Sequence, residues 1–177
     1  MPEVRRADPD DAAELTRLRV VMFTDMGRDP ALLSEDWRRR NVEHFRRRLA
    51  EVDSFAAYVV DRPDGGGLAA SAVGWLNDHL IGTANPTGKV GYIANMCTDP
   101  DHRRRGYGRA TLVALLDWLR STGITVVDLH ATPDGEPLYR SLGFTAPVDP
   151  ALTLRFPLPG DTDPAGPSSS GDIAPLS

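Results

Sequence analysis

The residues with the clearest capacity for chemistry lie between Asp101 and Arg109, where arginines surround Gly106 and Gly108. Arginine donates charge-assisted hydrogen bonds to phosphate oxygens, and glycine lets the backbone approach a ligand without an interfering Cβ atom. Leucines at positions 112, 115, 116 and 119 have helical spacing, so the segment precedes a helix whose start offers unpaired N–H donors. The sequence therefore predicts a phosphate-binding loop.

Other readings of this loop fit less well. A dinucleotide-binding loop needs a third glycine where Thr111 stands, and the Walker A pattern is absent. A solvated turn before a helix would have a similar composition. The pattern Arg103-x-x-Gly106-x-Gly108 gains specificity from its place between a predicted strand and a predicted helix.

The elements that must position this loop alternate between strand and helix patterns. The predicted strands are Val4 to Ala7, Ser54 to Val60, Leu68 to Leu76, Val90 to Thr98, Thr125 to Leu129 and Leu152 to Leu158. The predicted helices run from Pro9 to about Thr24, from the Ser34 cap through Leu49, from the loop to Gly123, and from Glu136 to Leu142. The order indicates an α+β fold around one sheet, with the broken segment Asn77 to Gly88 expected to line a site.

Composition narrows the class of protein. The chain has 177 residues, a net charge of −5 and a pI near 5.3, which predicts one domain over residues 1–158 and argues against a nucleic-acid partner. Residues 159–177 are rich in Pro, Gly, Ser and Asp and are expected to form a disordered tail. A single cysteine, no metal-ligand cluster and no long apolar run predict a cytoplasmic protein without metal or membrane span; a homodimer is compatible with the sequence.

Two patches resemble the GNAT superfamily of acyl-CoA N-acyltransferases. Residues 103–108, Arg-Arg-Arg-Gly-Tyr-Gly, match the family's Gln/Arg-x-x-Gly-x-Gly/Ala signature, and residues 138–144, Leu-Tyr-Arg-Ser-Leu-Gly-Phe, match its Leu-Tyr-x-x-x-Gly-Phe segment. The resemblance covers most of residues 3–158. It implies a central mixed, mostly antiparallel sheet flanked by helices and splayed between the fourth and fifth strands.

The same resemblance implies acetyl-CoA as co-substrate and a set of site residues. Backbone near Met96, Cys97 and Thr98 would pair with the pantetheine arm, and N–H groups near Met96 and Cys97 would stabilise an oxyanion. Tyr139 would protonate the departing thiolate. The implied contacts to the pyrophosphate come from Arg103, Arg104, Arg105, Gly106, Tyr107, Gly108 and Arg109.

This chain departs from the family pattern at two places. Many relatives carry a carboxylate on the fourth strand that receives the amine proton, whereas residues 93–96 here are Ile-Ala-Asn-Met. Many also carry an asparagine before the last helix, where Thr132 stands here; Asp134 is a candidate to replace its contact with the cofactor.

The general base is left open by the sequence. An alkylamine titrates about 3.4 units above neutrality, so presenting it uncharged costs roughly 4 to 5 kcal/mol, and some group must receive its proton. The candidates by position are His79, Asp78, His130 and Glu136. Cys97 could instead be a nucleophile, but a small strand residue is the better interpretation.

The sequence favours acetyl transfer to the amine of a small molecule by direct attack in a ternary complex. A partly enclosed site between the helix pair and the broken segment favours a small acceptor. A peptide or protein N-acetyltransferase and a non-catalytic acyl-CoA-binding module are the alternatives. The arginines of the second helix, Arg38 to Arg40 and Arg46 to Arg48, would face solvent, an acidic acceptor or the cofactor's ribose phosphate.

Overall fold

The computed structural model describes residues 2–147, 151–154 and 156. Its elements, in chain order, are β1 (Arg5–Arg6), α1 (Ala12–Asp25), α2 (Glu35–Leu49), β2 (Phe55–Asp61), β3 (Leu68–Asp78), β4 (Lys89–Thr98), α3 (Tyr107–Ser121), β5 (Val127–Leu129) and α4 (Glu136–Ser141). The predicted tail, residues 159–177, lies outside the described residues.

The five strands form one sheet in the order β1-β2-β3-β4-β5. Neighbours from β1 to β4 are antiparallel, and β4 and β5 are parallel. The predicted mixed, mostly antiparallel sheet is therefore confirmed. The parallel pair follows from the connection, because the crossover helix α3 returns the chain in the direction of β4.

The predicted sixth strand is not present in the part of residues 152–158 that the structure describes. Residues 152–154 and 156 lie in no strand, and Leu152, Leu154 and Phe156 are exposed; the rest of this predicted strand lies outside the described part of the chain. Alternating apolar residues indicated a strand. The pattern alone could not show whether a neighbouring strand edge was available.

Local sequence sets the helix boundaries. Asp8 and Pro9 open a 3-10 turn that leads into α1, and the Ser34 hydroxyl accepts a hydrogen bond from Trp37 N at 3.2 Å at the start of α2. The left-handed Gly123 (φ +78°) follows α3. These caps confirm the predicted helix starts and stops to within a few residues.

Two hydrophobic layers cover the two faces of the sheet. Leu15, Leu18, Phe45 and Leu49 of α1 and α2 pack on one face, and the leucines of α3 with residues of α4 pack on the other. The central strands are buried on both sides and are rich in alanine, valine and leucine. Within the described residues, no helix is long and apolar enough to cross a membrane.

The chain leaves β4 at Asp99, a carboxylate that is only 4% exposed. Asp99 accepts hydrogen bonds from Arg17 at 2.7 Å and Arg62 at 2.5 Å. Burial raises the pKa of Asp99, but the hydrogen bonds from Arg62 and Arg17 more than offset this, so its pKa is lowered overall. The carboxylate thus joins α1, the β2–β3 turn and the end of β4.

Replacing Asp99 by asparagine is expected to lower the free energy of unfolding by about 2 to 3 kcal/mol, since two charge-assisted hydrogen bonds lose their ionised acceptor. A lowered folded-state pKa contributes stability above the unfolded pKa that is lost as the pH falls through the folded value. The difference in free energy of unfolding between wild type and Asp99→Asn should therefore be fully present at pH 7 and should shrink below about pH 4. Urea unfolding at several pH values measures it, with Asp117→Asn, whose partner Arg120 is exposed, as a near-neutral control.

Candidate active site

A cleft opens where β4 and β5 part. The two strands pair at three positions, ending at Ile93 and Leu129, while β4 continues to Thr98 with no strand of the described residues paired on that side. The predicted splay between the fourth and fifth strands is thus present. The cleft holds about 1010 Å³ and is lined by Arg19, Met22, Phe23, Asp25, Met26, residues 92–98, Arg103, His130, residues 132–135 and Tyr139.

The free edge of β4 presents its own backbone to the cleft. Asp99 N donates to Ala69 O on β3 at 2.8 Å, and backbone groups of successive strand residues point in opposite directions within a sheet. The backbone groups of Cys97 therefore face β3, and those of Thr98 and Met96 face the gap. An extended ligand can pair with the latter two residues.

A bulge interrupts β4 within the cleft. Its register against β3 shifts between Ser71 and Val73, so that one extra residue of β4 lies between Ala94 and Cys97. Asn95 carries the strain of this bulge, with a left-handed φ of +53°. Its side chain is buried, and its Oδ1 accepts a hydrogen bond from Arg19 at 3.0 Å.

The predicted phosphate loop lies between β4 and α3. Arg104 (φ +60°) and Gly106 (φ +79°) are both left-handed, and Gly106 occupies the position before α3 without any side-chain cap. Among the residues that the structure describes, no side chain accepts from the first N–H groups of α3, as a bound anion requires. This geometry fits a pyrophosphate.

The arginines of this loop differ in what they contact. Arg103 forms an ion pair with Asp25 at the end of α1, and its Nε donates to Thr98 O at 3.2 Å. Arg109 donates to the Ser141 hydroxyl at 2.8 Å. Arg104 forms no ion pair with any residue that the structure describes. Arg103 thus joins α1 to the end of β4, a role that the sequence did not indicate.

Tyr139, the predicted general acid, lines the cleft from α4. Its ring packs edge-on against Phe144, with centroids 5.9 Å apart. Burial raises the pKa of its phenol, so the hydroxyl keeps its proton at neutral pH.

A tyrosine–histidine pair lies at the narrow end of the cleft. The Tyr92 hydroxyl and His130 Nδ1 are 2.6 Å apart, and Trp75 packs against the other side of Tyr92 with ring centroids 4.9 Å apart. Burial first, and the charge of Asp128 second, raise the pKa of Tyr92. When His130 Nδ1 carries the hydrogen and donates to Tyr92, Nε2 keeps a lone pair that can accept a proton.

Of the four candidate bases, His130 is the one that lines the cleft. Glu136 forms an ion pair with Arg140 on the outer side of α4, and Asp78 and His79 are exposed at the far end of β3. The segment from Asn77 to Gly88 does not line the cleft either, so that prediction was wrong. His79 N bonds to Gly88 O and Gly82 N to Asn85 O, which folds the loop on itself beyond the sheet.

Cys97 is unsuited to nucleophilic attack. Its thiol is buried, and burial, followed by the charge of Asp25, raises its pKa to about 12. The thiol is therefore almost entirely protonated at neutral pH, whereas the thiolate is the reactive form. The interpretation of Cys97 as a small strand residue agrees with this environment.

Some of the other residues considered in the sequence line the cleft, and others do not. Thr132 and Asp134 both line the cleft, but the Thr132 hydroxyl already accepts a hydrogen bond from Gly135 N at 3.2 Å. The arginines of α2 do not line the cleft, and two of them, Arg39 and Arg40, pair with acidic neighbours on α2. Trp37 does not line the cleft but packs against Phe23, which does, with ring centroids 5.9 Å apart.

Sequence reasoning placed the helix pair beside the site but named no residue of α1 as part of it. Arg19, Phe23 and Asp25 line the cleft, yet the helical periodicity assigned the apolar side of α1 to the core and left its other residues unassigned. A signal was present, because Arg19 and Phe23 are four residues apart and so share one side of a helix.

Comparison with known proteins gives one consistent family. Residues 17–144 match the family model described as the acetyltransferase (GNAT) family. The aminoglycoside N(6')-acetyltransferase type 1 of Stenotrophomonas maltophilia is 28% identical over 166 residues, covering 89% of this chain and 94% of that protein. The mycothiol acetyltransferase of Nocardiopsis dassonvillei is 32% identical over 126 residues, covering 69% of this chain and 36% of the relative.

Solved structures agree in fold. A GCN5-related N-acetyltransferase from Ralstonia eutropha has a TM-score of 0.73 and 30% identity, covering 87% of this chain and 99% of its own. A predicted acetyltransferase from Clostridium acetobutylicum, solved with acetyl-CoA, has a TM-score of 0.76 and 26% identity, covering 88% of this chain and 96% of its own.

Proposed function

Because the chain belongs to the acetyltransferase (GNAT) family and is an acetyl-CoA-dependent N-acetyltransferase, we propose that it acetylates the amine of a small molecule by direct attack in a ternary complex. The observation that carries this proposal is the cleft between β4 and β5, which extends from Arg103, at the start of the loop before α3, to the Tyr92–His130 pair. The name of the aminoglycoside-acetylating relative supports a small acceptor.

The cofactor is proposed to lie along the free edge of β4. The uncapped start of α3, with Gly106, Tyr107 and Gly108, would bind its pyrophosphate through backbone N–H groups, assisted by Arg104, Arg105 and Arg109. The backbone groups of Met96 and Thr98 would pair with the pantetheine arm. Arg103 would act indirectly, since its ion pair with Asp25 fixes where the loop begins.

Acetyl-CoA bound in this way supplies the thioester carbonyl that the amine attacks. The Met96 N–H faces the gap and is the proposed donor to the carbonyl oxygen as negative charge develops there; the Cys97 N–H, which faces β3, is not. Tyr139 would donate a proton to the departing sulfur. No covalent bond to the protein is required, consistent with the protonated Cys97 thiol.

His130 is proposed to receive the proton of the acceptor amine. It lines the cleft, and its Nδ1 is held by Tyr92. Replacing His130 by glutamine is therefore expected to lower kcat by about 100-fold, because a positioned proton acceptor is lost. Steady-state release of free CoA thiol measures this.

The matched control for this substitution is His79→Gln, on the exposed loop outside the cleft, which should leave kcat unchanged. A wild-type kcat in the His130→Gln protein would show that water or another group receives the proton.

Release of free CoA thiol with a panel of small amines tests the proposed function itself. Turnover with one class of small amine is expected. If every small amine gave only the CoA release of background thioester hydrolysis, and peptides were acetylated, the protein would instead be a peptide N-acetyltransferase.

A further inference from the structure

Arg19 is a cation in the wall of the cleft whose donors are only partly used. Its guanidinium lies 4.7 Å from the centroid of the Phe23 ring and donates one hydrogen bond, to Asn95 Oδ1 at 3.0 Å. Its Nε is buried without an acceptor, and within residues 2–147 it forms no ion pair. The two contacts fix the direction of the guanidinium and leave its charge uncompensated.

Asn95 also has a hydrogen-bond donor without an acceptor. The residue is 5% exposed, and its Nδ2 is buried with no hydrogen-bond partner in the described chain. Every unsatisfied atom of this pair, Arg19 Nε and Asn95 Nδ2, is a donor. Both atoms have almost no solvent-accessible surface, so a ligand in the cleft cannot reach them unless the wall moves. Arg19 Nη2 makes no hydrogen bond within the described residues and is not buried, so it is the donor that an acceptor in the cleft can reach.

The neighbouring carboxylates do not supply this acceptor. Asp25 lines the same wall but pairs with Arg103, and Asp134 lies exposed on the opposite wall. Burial lowers the pKa of Arg19, which reflects the cost of holding a cation partly away from water with no counter-charge. An anionic group in the cleft would remove that cost.

We propose that the acceptor is an amine that also carries a carboxylate, and that Arg19 binds this carboxylate while the amine faces the thioester. The inference rests on the proposed function and adds the substrate class. The guanidinium forms charge-assisted hydrogen bonds with carboxylate oxygens, and Asn95 Oδ1 and the Phe23 ring hold it in the cleft wall. A polycationic amine would instead meet the uncompensated charge of Arg19.

The test compares three sets of small amines by CoA thiol release. The first set contains amino acids with the amine at the α, β or γ position, the second their matched amides, and the third polyamines without carboxylates. We expect kcat/KM for the preferred amino acid to exceed that of its amide at least tenfold. Arg19→Met should raise the KM of the amino acid about 10- to 100-fold, the range for loss of a charge-assisted hydrogen bond.

Four comparisons separate acceptor binding from a purely structural role of Arg19. In Arg19→Met the KM for acetyl-CoA should stay close to wild type, and the loss of kcat/KM should be at least tenfold larger with the amino acid than with its amide. Arg46→Met removes the same charge from the exposed side of α2 and should leave the preference intact. Asn95→Asp retains the acceptor oxygen and supplies the missing counter-charge, so it should abolish the preference for amino acids without removing Arg19.

Equal use of amino acids and amides, turnover of polyamines alone, or an equal loss with both substrates in Arg19→Met would overturn the inference and leave the proposed function standing. Absence of turnover with all three sets and with every other small amine of the panel would contradict the proposed function itself. If Arg19→Met does not fold, Asn95→Asp decides, because a retained preference in that variant overturns the inference.

Discussion

Gly106→Asp is expected to nearly abolish the binding of acetyl-CoA while leaving the protein folded. A side chain here would enter the space where the backbone must approach the pyrophosphate, and a carboxylate would add repulsion between like charges. Within the protein, a Cβ atom at Gly106 meets nothing within 4 Å. The fold should therefore pay only the backbone cost of a non-glycine residue at φ +79°, about 1 to 2 kcal/mol.

Calorimetric titration with acetyl-CoA measures this effect, and circular dichroism reports the fold. Gly65→Asp is the matched control, because Gly65 has φ +78°, has nothing within 4 Å of its Cβ position and lies in the exposed turn between β2 and β3. It receives the same charge and the same strain away from the cleft. Wild-type affinity in a folded Gly106→Asp protein would place the cofactor elsewhere.

Tyr139→Phe is expected to lower kcat by about 100-fold with little change in the affinity for acetyl-CoA. The phenol lines the cleft, and its raised pKa keeps it protonated, so the substitution removes the proposed proton donor to the sulfur. The ring and its edge-on contact with Phe144 remain. The free energy of unfolding should change little for that reason.

Single-turnover kinetics isolates the chemical step for this comparison. Tyr58→Phe, on β2 and outside the cleft, serves as the control for loss of a tyrosine hydroxyl. If kcat is unchanged when chemistry limits the rate, Tyr139 is a packing residue and solvent protonates the thiolate.

The parts of the candidate site that could be predicted from the sequence are those contained in one short segment. The loop before α3 could be predicted because its glycines, its arginines and the following helix are contiguous in sequence. The caps at Ser34 and Gly123 are legible for the same reason, since a cap satisfies backbone groups only a few residues away.

The parts that could not be predicted depend on register and on distant contacts. Arg19 meets Asn95, and Tyr92 meets His130, only because the pairing of β4 with its neighbours and the packing of α1 bring them together. The pairing of Arg103 with Asp25 is equally remote in sequence. Position in a loop was likewise a poor guide for Asn77 to Gly88, because composition identifies a loop without giving the direction in which it leaves the sheet.

The short pairing between β4 and β5 has a consequence for how the protein responds to heat. Three paired positions join these strands, against eight between β3 and β4, so local opening should begin at this seam and show first in amide hydrogen exchange. A ligand that spans both strands binds the closed form alone and stabilises it by mass action, by about 2.7 kcal/mol at 100 times its dissociation constant. The melting temperature should therefore rise as ligand fills the site.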